Sequence, residues 1–112
     1  MAQSDKVKIG IVGCGVVATA YYLLDDERAE IVAVCDRYET RTQACMRLFG
    51  AREQYLEYDE MIEKADIDAV FILTAPGTHV DFTMKAVAAG KHVLIQKPMA
   101  TRMEDAHRIA EA

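Results

Sequence analysis

Four near-continuous apolar runs divide the chain: Val7 to Val12, Ile31 to Cys35, Ala69 to Leu73 and His92 to Ile95. Strands read this way when helices cover both faces of their sheet. Gln54 to Glu57 adds a short edge strand. The stretches between them carry apolar residues at helical spacing. From Val16 the sequence runs Val-Val-Ala-Thr-Ala-Tyr-Tyr-Leu-Leu, with small residues on the early turn, and exits at Asp25-Asp26-Glu27-Arg28. Thr40 is placed to cap a second helix carrying Ala44, Cys45, Leu48 and Phe49, with Gly50 as its stop. Asp59 caps a short helix bearing Met61 and Ile62. Thr78 caps another, with Val80, Phe82, Met84 and Val87 inward or partly inward, ending at Gly90. Thr101 caps the last, with Met103, Ala106, Ile109 and Ala110 at helical spacing. Met1 to Lys6 is a frayed tail. Strands alternating with helices predict a parallel sheet joined by right-handed crossovers.

The first strand runs directly into Gly13-Cys14-Gly15, followed by Val16, Val17 and Ala18. That is the G-x-G-x-x-G/A pattern with alanine in its third slot. The second strand ends on Asp36, 23 residues after Gly13. Strand, glycine turn, helix start, strand and acid are the parts a dinucleotide site needs, in the order it needs them. Gly13 permits the tight turn. Gly15 lets the backbone approach a pyrophosphate. The helix that follows offers unpaired N–H groups and a partial positive charge to the phosphates. The fold class is therefore α/β: a three-layer Rossmann fold, with a parallel sheet of strand order 3-2-1-4-5 and helices on both faces. Its switch point lies between the first and fourth strands. Gly10, inside the first strand, weakens it unless another backbone comes close.

Composition narrows the alternatives. At 112 residues the chain is a single domain with one core. No apolar run approaches the ~18 residues of a membrane span. The amino terminus has no apolar signal segment, which points to a cytoplasmic protein. The net charge is -5 and no basic stripe is present, against nucleic-acid binding. Cys14, Cys35 and Cys45 lack zinc-site spacing and read as reduced thiols. No metal is expected.

Four segments meet at the carboxyl ends of the strands: Gly13 to Val17, Asp36-Arg37, Thr74 to His79, and Gln96-Lys97. Asp36 can accept hydrogen bonds from both hydroxyls of an adenosine ribose, and its charge would repel a 2′-phosphate. NAD is thus favoured; Arg37 and Arg41 read as solvated surface charges, and NADP is possible if either pairs with such a phosphate. Lys97 ends an apolar strand just before Pro98, where its ammonium can meet a cofactor ribose or a substrate hydroxyl. His79 follows the Thr74-Ala75-Pro76 loop, and either lines a nicotinamide pocket or serves as a plain cap-region histidine. His92 reads as structural and His107 as solvent-facing. Cys14 sits where helix N–H groups can lower a thiol pKa, but it reads as a small tolerated side chain rather than a redox group. Tyr21 and Tyr22 read as packing residues.

With these residues in place, the chain resembles the nucleotide-binding half of the Gfo/Idh/MocA oxidoreductases. The resemblance rests on Gly-Ile-Val-Gly-Cys-Gly, Cys-Asp-Arg, Ile-Asp-Ala-Val-Phe-Ile-Leu-Thr-Ala-Pro-Gly-Thr-His, and Ala-Gly-Lys-His-Val-Leu-Ile-Gln-Lys-Pro-Met-Ala-Thr. It implies an NAD(P)-dependent dehydrogenase acting on a sugar or polyol. It implies that Lys97 contacts cofactor and substrate, and that Thr74, Ala75, Pro76 and His79 lie along the cofactor. Gln96 stands where the family usually has Glu, which keeps an acceptor but removes a charge. The resemblance also implies a second domain, absent from residues 1–112, that supplies substrate binding, the remaining catalytic groups and a homo-oligomer interface. Two other readings stay open: a non-catalytic NAD(P)-binding or sensor module, and an S-adenosylmethionine-dependent methyltransferase, whose glycine turn and acid are similar. The Gln96-Lys97-Pro98 segment has no place in the methyltransferase reading.

Overall fold

The computed structural model describes residues 6–14, 27–74, 76–95 and 103–112. In chain order these form β1 (Val7–Val12), β2 (Ala29–Cys35), α1 (Glu39–Phe49), β3 (Glu53–Tyr55), α2 (Tyr58–Lys64), β4 (Ala69–Ile72), a 3-10 turn (Pro76–Thr78), α3 (His79–Ala88), β5 (His92–Ile95) and α4 (Met103–Glu111). The strands form one parallel sheet in the order β3-β2-β1-β4-β5. The helix expected from Val16 lies outside the described residues.

The register explains why a cleft forms at one edge. Val12 pairs with Cys35 and with Ile72, Cys35 pairs with Tyr55, and Ile72 pairs with Ile95. All five strands therefore end level, and the loops that follow them leave from one ledge. Because β1 is central, the loops after β1, β2 and β4 are neighbours there.

Alternate residues of each strand feed opposite faces. Val12, Cys35, Val70 and Ile72 pack with Tyr58, Met61 and Ala86 of α2 and α3. Ile11, Val34, Phe71 and Leu73 pack with Cys45 of α1 and with Cys14. Both faces are apolar, which is why the strands read as continuous runs. Burying one such side chain contributes roughly 1.5–3 kcal/mol. Tyr58 stacks on Phe82 at 4.1 Å between ring centroids, and its hydroxyl donates to the Phe82 carbonyl at 2.7 Å. This joins α2 to α3.

Several boundaries differ from the sequence expectation for local reasons. The edge strand is Glu53–Tyr55 instead of 54–57. Helix α1 begins at Glu39, before the expected cap Thr40. Asp36 accepts the Tyr38 N–H at 3.0 Å and so organises the helix start from upstream. Helix α2 likewise begins before Asp59, because the ring of Tyr58 is drawn into the core. Gly50 ends α1 in the left-handed conformation at φ 69°, as expected. Side chains, not a second backbone, crowd Gly10: a Cβ there would lie 2.8 Å from Ile67 Cδ1 and 3.3 Å from Met61 Sδ. Val87 is exposed where an inward or partly inward position was expected; on α4 Met103 is exposed and Ile109 buried. The proposed cap Thr101 lies outside the described residues. Among the described residues no helix is long and apolar enough to cross a membrane.

Candidate functional site

The site begins at Gly13. Its N–H donates to the Cys35 carbonyl at 2.9 Å, which ties the end of β1 to the end of β2. The Leu73 N–H donates to the Val12 carbonyl at 2.8 Å, which ties β1 to the strand on its other side. Between these bonds Gly13 takes φ 99°. A Cβ at Gly13 would lie 2.7 Å from the Leu73 carbonyl carbon and 2.9 Å from the Thr74 nitrogen. Glycine is thus required twice, by the positive φ and by the backbone of the β4 loop.

Asp36 braces the same turn from β2. One carboxylate oxygen accepts the Cys14 N–H at 2.9 Å, and the other accepts the Tyr38 N–H at 3.0 Å. The side chain is only 7% exposed, yet it lines the cleft. A carboxylate offers about four acceptor sites. Among the described residues these two N–H groups are its hydrogen-bond donors, which leaves acceptor capacity for hydroxyls entering from the cleft. Arg41, in the first turn of α1, places Nη1 3.9 Å from the Asp36 carboxylate and its guanidinium carbon 4.8 Å above the Tyr38 ring.

The opposite wall is the loop after β4. The Thr74 and Thr78 hydroxyls bond each other across the 3-10 turn. Below them, His79 is buried with Nε2 2.9 Å from the Thr74 carbonyl oxygen. The loop is therefore fixed from beneath by the first residue of α3.

Between these walls lies a cleft of about 550 Å³. Gly13, Asp36, Arg37 and Thr74 line it, as the sequence led one to expect, and so do Tyr38, Arg41, Leu56 and Thr78. Cys14 is not part of the cleft lining; its backbone N–H meets Asp36 and its thiol is buried. Pro76 lies in the 3-10 turn. His79 sits under the loop and is not part of the cleft lining. Gly15, Val16, Val17, Ala75, Gln96 and Lys97 lie outside the described residues. Sequence reasoning passed over Tyr38 and Leu56. The available signal was an aromatic two residues after the acid, and an apolar residue directly after the edge strand.

Neither the Cys14 nor the Cys35 thiol is poised for reaction, while the hydrogen bond with Cys14 draws the Cys45 thiol down from its ordinary value. A hydrogen bond with Cys45 and burial together push the Cys14 thiol up, against the lowering that its place in the glycine turn suggested. Burial pushes Cys35 up to about 12. Among the described residues no cluster of His, Cys, Asp or Glu is placed to hold a metal ion.

A level parallel-strand edge, a glycine turn on β1 and an acid on β2, at the switch point of the sheet, define a dinucleotide-binding α/β domain. Residues 7–112 match the oxidoreductase family with an NAD-binding Rossmann fold known as Gfo/Idh/MocA, and the chain belongs to that family. It is 36% identical over 106 residues to the dTDP-3,4-didehydro-2,6-dideoxy-alpha-D-glucose 3-reductase of Saccharopolyspora spinosa, covering 92% of this chain and 32% of that protein. The scyllo-inositol dehydrogenase of Lactobacillus casei, solved with NAD(H) and scyllo-inositol, superposes with a TM-score of 0.86 at 29% identity, over 95% of this chain and 32% of that one. The 3-ketoreductase KijD10 of Actinomadura kijaniata, solved with TDP-benzene and NADP, gives a TM-score of 0.86 at 28% identity, over 95% and 34% of the two chains. The chain spans about a third of the length of the curated relatives it matches.

Proposed function

We propose that this chain is the dinucleotide-binding part of an NAD(P)-dependent dehydrogenase or reductase acting on a sugar or polyol. The observation that carries the proposal is the bond from the Cys14 N–H to Asp36, which ties the glycine turn to the acid in a cleft that Gly13 and Asp36 both line. Two features of the residues fit a dinucleotide. The Gly13 turn has no space for a Cβ and brings bare backbone to the ledge. Among the described residues Asp36 takes two N–H donors and so keeps acceptor sites on a carboxylate that lines the cleft.

Gly13 would hold the pyrophosphate turn, with Gly15, Val16 and Val17 continuing it. Asp36 would accept the ribose hydroxyls, favouring NAD over NADP. Thr74, with Ala75 and Pro76, would lie along the cofactor; His79 would hold that loop in place. A bound nicotinamide dinucleotide supplies the hydride donor or acceptor. Lys97, by its place in the Gln96-Lys97-Pro98 segment, would position and polarise a substrate hydroxyl or carbonyl. The remaining acid–base and substrate-selecting groups would come from a second domain, which would also carry the homo-oligomer contact. The protein would act in the cytoplasm on small molecules, without nucleic acid or membrane partners.

Calorimetric titration with NADH, NADPH and S-adenosylmethionine tests the proposal. It predicts saturable binding of NADH, weaker binding of NADPH and none of S-adenosylmethionine. Binding of S-adenosylmethionine alone would replace the dehydrogenase reading with the methyltransferase one.

A further inference from the structure

Three free cysteines are buried around the glycine turn, and two of them form a pair. Cys14 follows Gly13, and Cys45 reaches it from α1, 31 residues on. The Cys45 sulfur lies 3.8 Å from the Cys14 carbonyl oxygen. Both side chains sit in one apolar cluster with Ile11, Val34 and Leu73, and the two thiols hydrogen-bond to each other. The sheet keeps Cys35 out of this pair, because its side chain packs on the opposite face with Tyr58 and Met61. One buried thiol is accounted for by packing. Two thiols in contact, one of them inside the turn that a dinucleotide would sit on, can react as a unit.

We infer that Cys14 and Cys45 are a disulfide-forming pair that switches the glycine turn between a reduced form that binds dinucleotide and an oxidised form that binds it more weakly. The inference rests on the dinucleotide reading above. The oxidant is a peroxide. The Cys45 sulfur attacks one peroxide oxygen: an S–O bond forms, the O–O bond breaks, and the departing oxygen leaves as water with the thiol proton. The Cys14 sulfur then displaces the hydroxyl from Cys45: an S–S bond forms, and the hydroxyl takes the Cys14 proton as a second water. The two thiols lose two electrons and the peroxide gains them.

The surroundings link this bond to the cofactor. Cys14 is 4% exposed and Cys45 0%, so peroxide reaches the sulfurs only when the turn opens. A nucleotide seated on the turn holds it shut. An S–S bond measures about 2.05 Å, shorter than any thiol hydrogen bond, so closing it draws Cys14 toward α1. Gly13 cannot follow freely, because its N–H is bonded to the Cys35 carbonyl at 2.9 Å and the β4 loop backbone lies against its other side. The movement falls on Cys14, whose N–H bonds Asp36 at 2.9 Å and whose thiol meets the Cys35 carbonyl at 3.6 Å. The turn and its acid are disturbed together. By linkage, the factor by which the disulfide weakens NADH is the factor by which NADH opposes the disulfide.

The test treats the chain with hydrogen peroxide, alkylates the remaining thiols and maps tryptic peptides by mass spectrometry, with NADH affinity measured by fluorescence before and after. Cleavage at Lys8, Arg28, Arg37, Arg41 and Arg47 puts each cysteine on its own peptide. The expected result is a chain lighter by two hydrogens, the Cys14 and Cys45 peptides linked, and a loss of NADH affinity of about tenfold or more that dithiothreitol reverses. Saturating NADH should slow the linkage. Cys45→Ser and Cys45→Ala should keep their NADH affinity after peroxide, whereas Cys35→Ala should switch as wild type does. The wild-type peptide map and its reversal stand whether or not the Cys45 variants fold. Linkage through Cys35, oxidation without a linked peptide, no reaction with peroxide, or a Cys14–Cys45 disulfide that leaves NADH affinity unchanged would overturn the inference while leaving dinucleotide binding intact. Failure of the reduced wild type to bind NADH would overturn the dinucleotide reading, and the switch with it.

Discussion

Replacing Gly13 by alanine should be the most damaging glycine substitution among those described, and a graded series shows why. At Gly13 the backbone has φ 99°, and an added Cβ would lie 2.7 Å from Leu73 C, 2.9 Å from Leu73 O and 2.9 Å from Thr74 N. A positive φ costs an alanine about 1–2 kcal/mol. The clash is with backbone atoms, so no side chain can rotate away. Relief requires the β4 loop to retreat, which stretches the 2.8 Å bond from the Leu73 N–H to the Val12 carbonyl. Losing such a bond costs about 1 kcal/mol or more. Together these give about 3 kcal/mol. Gly50 also has a positive φ, 69°, but nothing lies within 4 Å of its Cβ position, so Gly50→Ala should cost only about 1 kcal/mol. Gly77 has open space and no positive φ, so Gly77→Ala should be neutral or stabilise by about 0.5 kcal/mol through the unfolded chain. Thermal unfolding followed by circular dichroism measures all three. At about 4 °C per kcal/mol, the melting temperatures should fall by roughly 12 °C, fall by roughly 4 °C, and stay level or rise. A Gly13→Ala loss no larger than that of Gly50→Ala would refute the claim that the β4 loop backbone packs against this turn.

Two further tests concern the core. Thr83 on α3 is 2% exposed, and its hydroxyl has no hydrogen-bond partner among the described residues. Thr83→Val keeps the shape and removes the orphan group, so it should stabilise by about 1 kcal/mol in urea unfolding; a destabilisation would mean the hydroxyl is in fact satisfied. At alkaline pH, burial holds the Cys35 thiol up at about 12 against its ordinary 9.0, and burial with the Glu53 contact holds the Tyr55 phenol up at about 12 against 10.0. Both groups are neutral when protonated, and their folded values lie above their unfolded ones. Their stabilisation is therefore complete below about pH 9 and is lost as pH rises toward 12. Melting temperatures at pH 8, 10 and 11 should be level at first and then fall; Cys35→Ala should flatten the early part of that fall.

The sheet was legible in the sequence because β1, β2 and β4 are buried on both faces, so each is written as an unbroken apolar run that no helical period mimics. Helix starts were less legible. Thr40 and Asp59 have the chemistry of caps, but Asp36 and the buried Tyr58 ring fix α1 and α2 through contacts that depend on tertiary placement. Gly13 and Asp36 could be found from their spacing alone. Their connection through the Cys14 N–H could not, because nothing in the spacing says which backbone group the carboxylate meets. The same holds for Arg41, which the fold sets over the Tyr38 ring and beside the Asp36 carboxylate. His79 lies too near the loop in sequence to say which of its two expected roles it takes. The fold buries it below Thr74.

The central claim is that a nicotinamide dinucleotide binds across the Gly13 turn and Asp36. The amide spectrum of 15N-labelled chain during NADH titration tests it most directly, because the backbone groups concerned report for themselves. The account predicts saturable shifts that are largest at the Gly13, Cys14 and Tyr38 amides, and their marked weakening in Asp36→Asn at equal NADH. Shifts confined to amides away from the Gly13 turn and Asp36, or a folded spectrum that does not respond to NADH at millimolar concentration, would contradict it.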